Sequence, residues 1–218
     1  MNNTIIALNG ELVADRKDYH KLIDQNDREN IFILAADGGA NLLDQLGYLP
    51  NSIIGDLDSL SQKQIKDFEK KDIEILKYPV EKNETDGELA LNYCKDQGYD
   101  NVIIIGAVGG RFDQQLANIY LLEYALENNL KARIKEPGLE IGLINNNKYF
   151  KNQKGWGLSL IPLDQTVNGV SIDGCKYTLD SHNLTRFKTR GISNLITKES
   201  AHVSHDQGRL LYILHKNN

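Results

Sequence analysis

The 218-residue chain is poor in several residue types that would announce a class of protein. It has only two cysteines, Cys94 and Cys175, so at most one bridge could form, and each sits inside an apolar repeat. They read as reduced, packed thiols, consistent with a reducing cytoplasm. Basic charge is not in excess: 25 Lys and Arg stand against 30 Asp and Glu, for a net charge of −5. With no basic tail or arginine run, nucleic acid is excluded as a bulk partner. No stretch approaches the ~20 consecutive apolar residues of a membrane span. The opening MNNTIIALNG lacks the basic region and the longer apolar core of an export signal. Familiar catalytic signatures are missing too. There is no G-x-x-x-x-G-K-S/T loop, Gly106-Ala-Val-Gly109-Gly110 does not fit G-x-G-x-x-G, and there is no G-x-S-x-G elbow or cysteine paired with histidine. His202 and His205 are three apart in an expected strand, on opposite faces, and His20, His182 and His215 lie in polar surroundings as surface residues.

What is present is a strong alternation. From Thr4 to about Lys135, short β-branched runs (Ile5–Leu8, Ile31–Ala35, Ser52–Gly55, Glu74–Tyr78, Val102–Gly106, Ala132–Lys135) are separated by segments with apolar residues three and four apart. Leu42, Leu43 and Leu46 form one such stripe, Ile65 and Phe68 another; Leu89, Ala90, Tyr93 and Cys94 a third; Leu116, Ala117, Tyr120, Leu121 and Tyr124 a fourth. Ser61-Gln-Lys-Gln64 and Thr85-Asp-Gly-Glu88 read as capping boxes, and Gly47 and Gly98 stand where helices should stop. Parallel strands need long crossovers, so this pattern predicts a mostly parallel sheet flanked by helices.

After Pro137-Gly138 the helical period disappears. Short β runs follow: Leu139–Ile144, Tyr149–Phe150, Leu158–Leu163, Val170–Ile172, Tyr177–Leu179, Ile192–Leu195, Ala201–Ser204 and Leu210–Leu214, with a turn at Asn145–Asn147. The fold expected is therefore an α/β domain over residues 1–137 and an antiparallel β-sandwich over 138–218. At roughly 80 residues the second part is small for an independent core, so it should dock on the first part or on another subunit.

In open parallel sheets, ligands bind outside the carboxyl ends of the strands. The second strand hands Asp37-Gly38-Gly39 to its loop and the third Asp56-Leu-Asp58. The fourth leads to Glu81-Lys-Asn-Glu-Thr85-Asp86 and the fifth to Gly109-Gly110-Arg111-Phe-Asp113. Successive loops thus carry carboxylates to one edge. Like charges in a partly buried site repel unless a cation sits among them, and a hard divalent ion such as Mg²⁺ meets that need while also binding phosphates. Asp37-Gly-Gly alone is a common turn, and Asp86 alone is a favourable helix-start carboxylate. Asp56-Leu-Asp58, two carboxylates straight after a buried strand, has no packing purpose. Gly109-Gly110-Arg111 joins a backbone able to approach phosphate to a guanidinium able to pair with it.

This motif series resembles the thiamine pyrophosphokinase family. The matching segments are Ala36-Asp-Gly-Gly-Ala-Asn41, Ile54-Gly-Asp-Leu-Asp-Ser59, Thr85-Asp86, Gly109-Gly-Arg-Phe-Asp-Gln114, Leu158-Ser-Leu-Ile-Pro162, Gly174-Cys-Lys-Tyr-Thr-Leu179 and Arg190-Gly-Ile-Ser-Asn194, in the family's order over nearly the whole chain. The resemblance implies transfer of pyrophosphate from ATP to the thiamine hydroxyl, yielding thiamine diphosphate and AMP. It also implies a homodimer in which thiamine lies between domains of different chains. By matching motif, Asp37, Asp56, Asp58 and Asp86 would hold Mg²⁺ and polyphosphate, with Asp56, Asp58, Asp86 and Arg111 catalytic. Asp37, Gly38, Gly39, Arg111, Asp113 and Gln114 would line the nucleotide side. Tyr177 would be an aromatic platform for thiamine, and Ser193 and Asn194 would bond the vitamin or order its pocket. Where many relatives read Lys-Asp-x-Thr-Asp, this chain has Lys82-Asn83-Glu84-Thr85-Asp86, so Asn83 is not expected to bind metal. Two rivals remain at this stage. One is a Mg²⁺-dependent D-x-D phosphatase, which would carry its motif on the first strand; the other is a non-catalytic nucleotide or vitamin sensor.

Overall fold

The computed structural model describes residues 3–25 and 31–217, and the chain divides into two compact units, Met1–Pro137 and Gly138–Asn218. In the first, the β-branched runs become six strands: β1 (Asn3–Ala7), β2 (Phe32–Ala36), β3 (Ser52–Gly55), β4 (Glu74–Lys77), β5 (Asn101–Ile105) and β6 (Lys131–Glu136). They lie side by side in the order β6-β5-β1-β2-β3-β4, and every pairing is parallel. Strand side chains alternate between faces. Ile5, Ala7, Ile33, Ala35, Ile53, Ile103 and Ile105 therefore share one core with α1 (Arg16–Asp24), α2 (Gly39–Leu46) and α3 (Gln62–Glu69). Ile6, Leu34, Ile54 and Ile104, equally buried, face the other way, the side served by α4 (Asp86–Asp96) and α5 (Phe112–Glu127).

Both expected capping boxes form. Ser61 Oγ accepts the Gln64 N–H and Thr85 Oγ1 accepts that of Glu88, each answered by the partner side chain on the cap's own N–H. Gly47 ends α2 in the left-handed conformation, and Gly98 follows α4 likewise. Helix α1 has no counterpart in the expected pattern. Only Tyr19 and Ile23 of its nine residues are buried, and two apolar positions among charged neighbours do not make a visible stripe.

The second unit is two antiparallel sheets. β7 (Leu139–Ile144), β9 (Gly157–Pro162), β12 (Asn194–Leu195) and β14 (Leu210–His215) form one, in the order β12-β9-β14-β7; β8 (Asn147–Lys151), β10 (Thr166–Asp173), β11 (Leu179–Thr185) and β13 (Ser200–Ser204) form the other, in the order β11-β10-β13-β8. Residues from both, including Leu158, Leu160, Leu210 and Tyr212 from the first and Phe150, Val167, Val170, Leu184 and Val203 from the second, make one core, as in a sandwich. Here two expectations need correction: the strand read at Ile192–Leu195 is only Asn194–Leu195, and the strand read at Tyr177–Leu179 begins only at Leu179 and runs to Thr185. Its single buried residue is Leu184, and its pairing with β10 is broken by bulges, so its polar letters hid the alternation. Both cysteines are free and buried; burial raises the Cys94 thiol to about 12 and Cys175 to about 11, so both stay protonated and inert. Among the described residues no helix is long and apolar enough to cross a membrane.

Candidate active site

The carboxyl ends of the parallel strands border a cleft of about 500 Å³. Its floor is acidic. Asp37 leaves β2 with φ 43°, and its N–H is fixed to the Ile54 carbonyl of β3 at 2.8 Å. Asp56 Oδ1 accepts the Asp58 N–H at 3.1 Å, folding the loop after β3 around Leu57, whose φ is 67°. Asn41 of α2 holds the same loop through the Ser59 carbonyl, and Gln64 holds Asn41 in turn. One carboxylate oxygen from each of Asp37, Asp56 and Asp58 lies within 4.8 Å of the others. Asp86, at the first turn of α4, closes the group from the side. Gly55 lets it do so, because a side chain there would come within 3.0 Å of both the Asp37 Cβ and Asp86 Oδ1.

A cation belonging to the protein sits in this cluster. Lys82 Nζ donates to Asp86 at 2.7 Å and lies 3.8 Å from Asp56, with its side chain only 11% exposed. Burial works against the ammonium, but the hydrogen bond and charge of Asp86, then Asp56 and Asp37, outweigh it and hold Lys82 above its ordinary value. Burial pushes the Asp86 carboxyl up, with Asp37 and Asp56 adding to the rise and Lys82 offsetting part of it. One positive charge does not neutralise four carboxylates. Asp37 is 6% exposed, and its Oδ1 is buried with no hydrogen-bond partner. A buried, unpartnered carboxylate oxygen beside two other carboxylates is a donor set that suits a hard divalent cation.

The remaining wall comes from the loop after β1 (Leu8, Asn9, Gly10), the α4 start (Thr85, Gly87, Glu88) and the β5–α5 side. There Gln114, Asn118 and Leu121, at helical spacing on one face of α5, look into the cleft beside Gly109, Tyr120 and Tyr124. Of the expected residues, Asp37, Asp56, Asp58, Asp86 and Gln114 line the cleft. Gly38 and Gly39 do not: they begin α2 behind Asp37, packed against the Asn9 side chain and the Ala7 carbonyl. Arg111 and Asp113 stand outside the wall, paired with each other at 2.5 Å and about two-thirds exposed. Lys82, Asn9 and Asn118 escaped sequence reasoning. The i,i+4 spacing of Lys82 before Asp86 and of Asn118 after Gln114 was the available signal.

In the second unit a pocket of about 490 Å³ is lined by residues of two segments, Ile172 to Leu179 and Arg190 to Asn194. Tyr177 is 59% exposed on its edge, with the Lys176 ammonium 5.3 Å from the ring centre. Asn194, buried, grips the Tyr177 backbone at both ends, accepting its N–H at 3.0 Å and donating to its carbonyl at 2.7 Å. It orders the pocket as a neighbouring strand would. Ser193, exposed and at φ 59°, donates its N–H to Ser159 Oγ and is not one of the residues lining the pocket.

Residues 20–134 match the family described as "Thiamin pyrophosphokinase, catalytic domain", and residues 144–210 match "Thiamin pyrophosphokinase, vitamin B1 binding domain". The chain belongs to the thiamin pyrophosphokinase family. A thiamine pyrophosphokinase of Bacillus subtilis is 30% identical over 189 residues, covering 86% of this chain and 88% of that protein. The crystal structure of the Bacillus subtilis thiamine pyrophosphokinase superposes with a TM-score of 0.85 at 25% identity, covering 99% of this chain and all of that one. The yeast thiamin pyrophosphokinase shares the fold, with a TM-score of 0.79 at 22% identity over 98% of this chain and 86% of the other. As a thiamin pyrophosphokinase the protein is a transferase that uses ATP as co-substrate. The D-x-D phosphatase and the sensor find no support, since both halves match the one family, in order.

Proposed function

We propose that the acidic cleft is where the pyrophosphoryl group of ATP passes to the hydroxyl of thiamine. The thiamine oxygen attacks the β-phosphorus, the bond from that phosphorus to the α,β-bridging oxygen breaks, and AMP leaves with that oxygen. The observation that carries this reading is the meeting of Asp37, Asp56 and Asp58 around a buried, unpartnered oxygen, closed by Asp86. These four would hold Mg²⁺, which when bound supplies Lewis-acid stabilisation of phosphate oxygens. Lys82, now donating to Asp86, would turn to a phosphate oxygen. Gln114 and Asn118 present amides on the nucleotide side, and Arg111 would reach the phosphates by exchanging Asp113 for them. Carboxylates are the bases the wall offers for the hydroxyl proton.

Tyr177 is assigned the role of thiamine platform, with Asn194 ordering the segment that carries it. A homodimer, in which the vitamin pocket of one copy serves the cleft of another, and a cytoplasmic setting belong to this reading. Incubation with ATP, Mg²⁺ and thiamine, followed by identification of the nucleotide product, tests it. AMP with thiamine diphosphate is expected; ADP, or ATP consumption independent of thiamine, would refute it.

A further inference from the structure

Glu136, at the last position of β6, is 2% exposed, deeper than any other acidic side chain among the described residues. A carboxylate so placed is costly unless its oxygens are satisfied. Here they are. One accepts the Ala107 N–H at 3.0 Å, and the other accepts the Tyr19 O–H at 2.7 Å. The same phenol oxygen accepts the Val13 N–H at 3.3 Å. Ala107, held at its N–H by Glu136, is held at its carbonyl by Asn118 Nδ2 at 2.9 Å, and Asn118 lines the cleft.

What Glu136 grips is a loop with little conformational preference of its own. Gly106, Gly109 and Gly110 all have positive φ, and glycine loses the most freedom on being ordered. The loop after β1 packs closely against it: a side chain on Gly10 would collide with the carbonyls of Gly106 and Val108. Leu8, Asn9 and Gly10 from one loop, and Gly109 with the α5 start from the other, form one wall of the cleft. Glu136 and Tyr19 thus tie both loops from beneath without touching the cleft themselves.

We infer that Glu136, together with Tyr19, is a positioning residue that sets the nucleotide wall of the cleft by fixing the Ala107 N–H of the loop after β5. This rests on the reading of the cleft as the ATP site. Glu136→Gln replaces one acceptor oxygen by an NH₂ that faces donors, and Tyr19→Phe removes one donor while leaving the carboxylate. The test is steady-state kinetics of both variants, with thermal unfolding and circular dichroism to establish folding, and Asp56→Asn run alongside. The expected result is a KM for Mg-ATP raised about tenfold in Glu136→Gln and several-fold in Tyr19→Phe, the KM for thiamine staying within about twofold. A merely structural role would lower the unfolding temperature and the active fraction but leave the Mg-ATP KM of the folded protein alone. Either folded variant with a wild-type Mg-ATP KM, or an equal rise in both KM values, overturns the inference. If Asp56→Asn retains near-normal turnover, it is the reading of the cleft that fails instead.

Discussion

Two side chains carry most of the electrostatic consequence. Lys82 is the buried counter-charge of Asp86 and Asp56, so Lys82→Met leaves the carboxylates facing one another. Breaking a buried pair costs about 3–5 kcal/mol, and partial exposure of Asp86 reduces this to roughly 1–3 kcal/mol. Denaturant unfolding in EDTA should show that loss, and millimolar Mg²⁺ should recover more of it in the variant than in the wild type. Glu136 acts through pH. Burial outweighs the opposing hydrogen bonds from Tyr19 and the Ala107 backbone and raises its carboxyl from 4.5 to about 7. The unfolded chain therefore gives up this proton near pH 4.5, while the folded protein keeps it until about pH 7. The contribution of the group is full below the lower value and declines as pH rises through the upper one, by roughly 3 kcal/mol in all. The stability difference between wild type and Glu136→Gln, measured by urea unfolding at a series of pH values, should fall across that window and level off above it. A flat difference would mean that the carboxyl titrates normally.

At the scale of elements, the two capping boxes are a matched pair with different duties. Ser61 and Thr85 make the same pair of hydrogen bonds, so replacing either by alanine should cost about 1 kcal/mol in stability. Only Thr85 borders the cleft, immediately before Asp86. Thr85→Ala should therefore also lower turnover several-fold by loosening the first turn of α4, whereas Ser61→Ala should keep wild-type kinetics; AMP formation and thermal unfolding on the same samples separate the two effects. Both caps could be read from the letters because a capping box is a local contract between residues three apart. Helix α1 and strand β11 could not, since each shows too few buried positions for a period to emerge.

For the whole molecule, the proposed dimer makes a quantitative expectation. If the Tyr177 pocket of one copy serves the cleft of another, a hybrid of Asp56→Asn and Tyr177→Ala chains holds one site with both defects and one with neither. Refolding an equal mixture, in which half the dimers are hybrids, should return about a quarter of wild-type activity from two weak proteins. No gain over the separate variants would place the two features of a site in the same chain, and a monomer by light scattering would remove the dimer altogether.

The amino-acid sequence by itself determined the alternation of strands and helices, their caps, the break in pattern after Pro137, and the delivery of Asp37, Asp56, Asp58 and Asp86 to loops at one edge of a parallel sheet. All of these follow from periods and spacings of a few residues. Only the tertiary structure decided which side chains meet. It brought Lys82 between Asp56 and Asp86, turned Arg111 onto Asp113, left Gly38 and Gly39 behind the cleft wall, and set Glu136 under a loop some thirty residues distant at 3.0 Å from the Ala107 nitrogen. Those contacts depend on strand order and on the direction each side chain takes when its neighbours pack, and neither is written in local spacing.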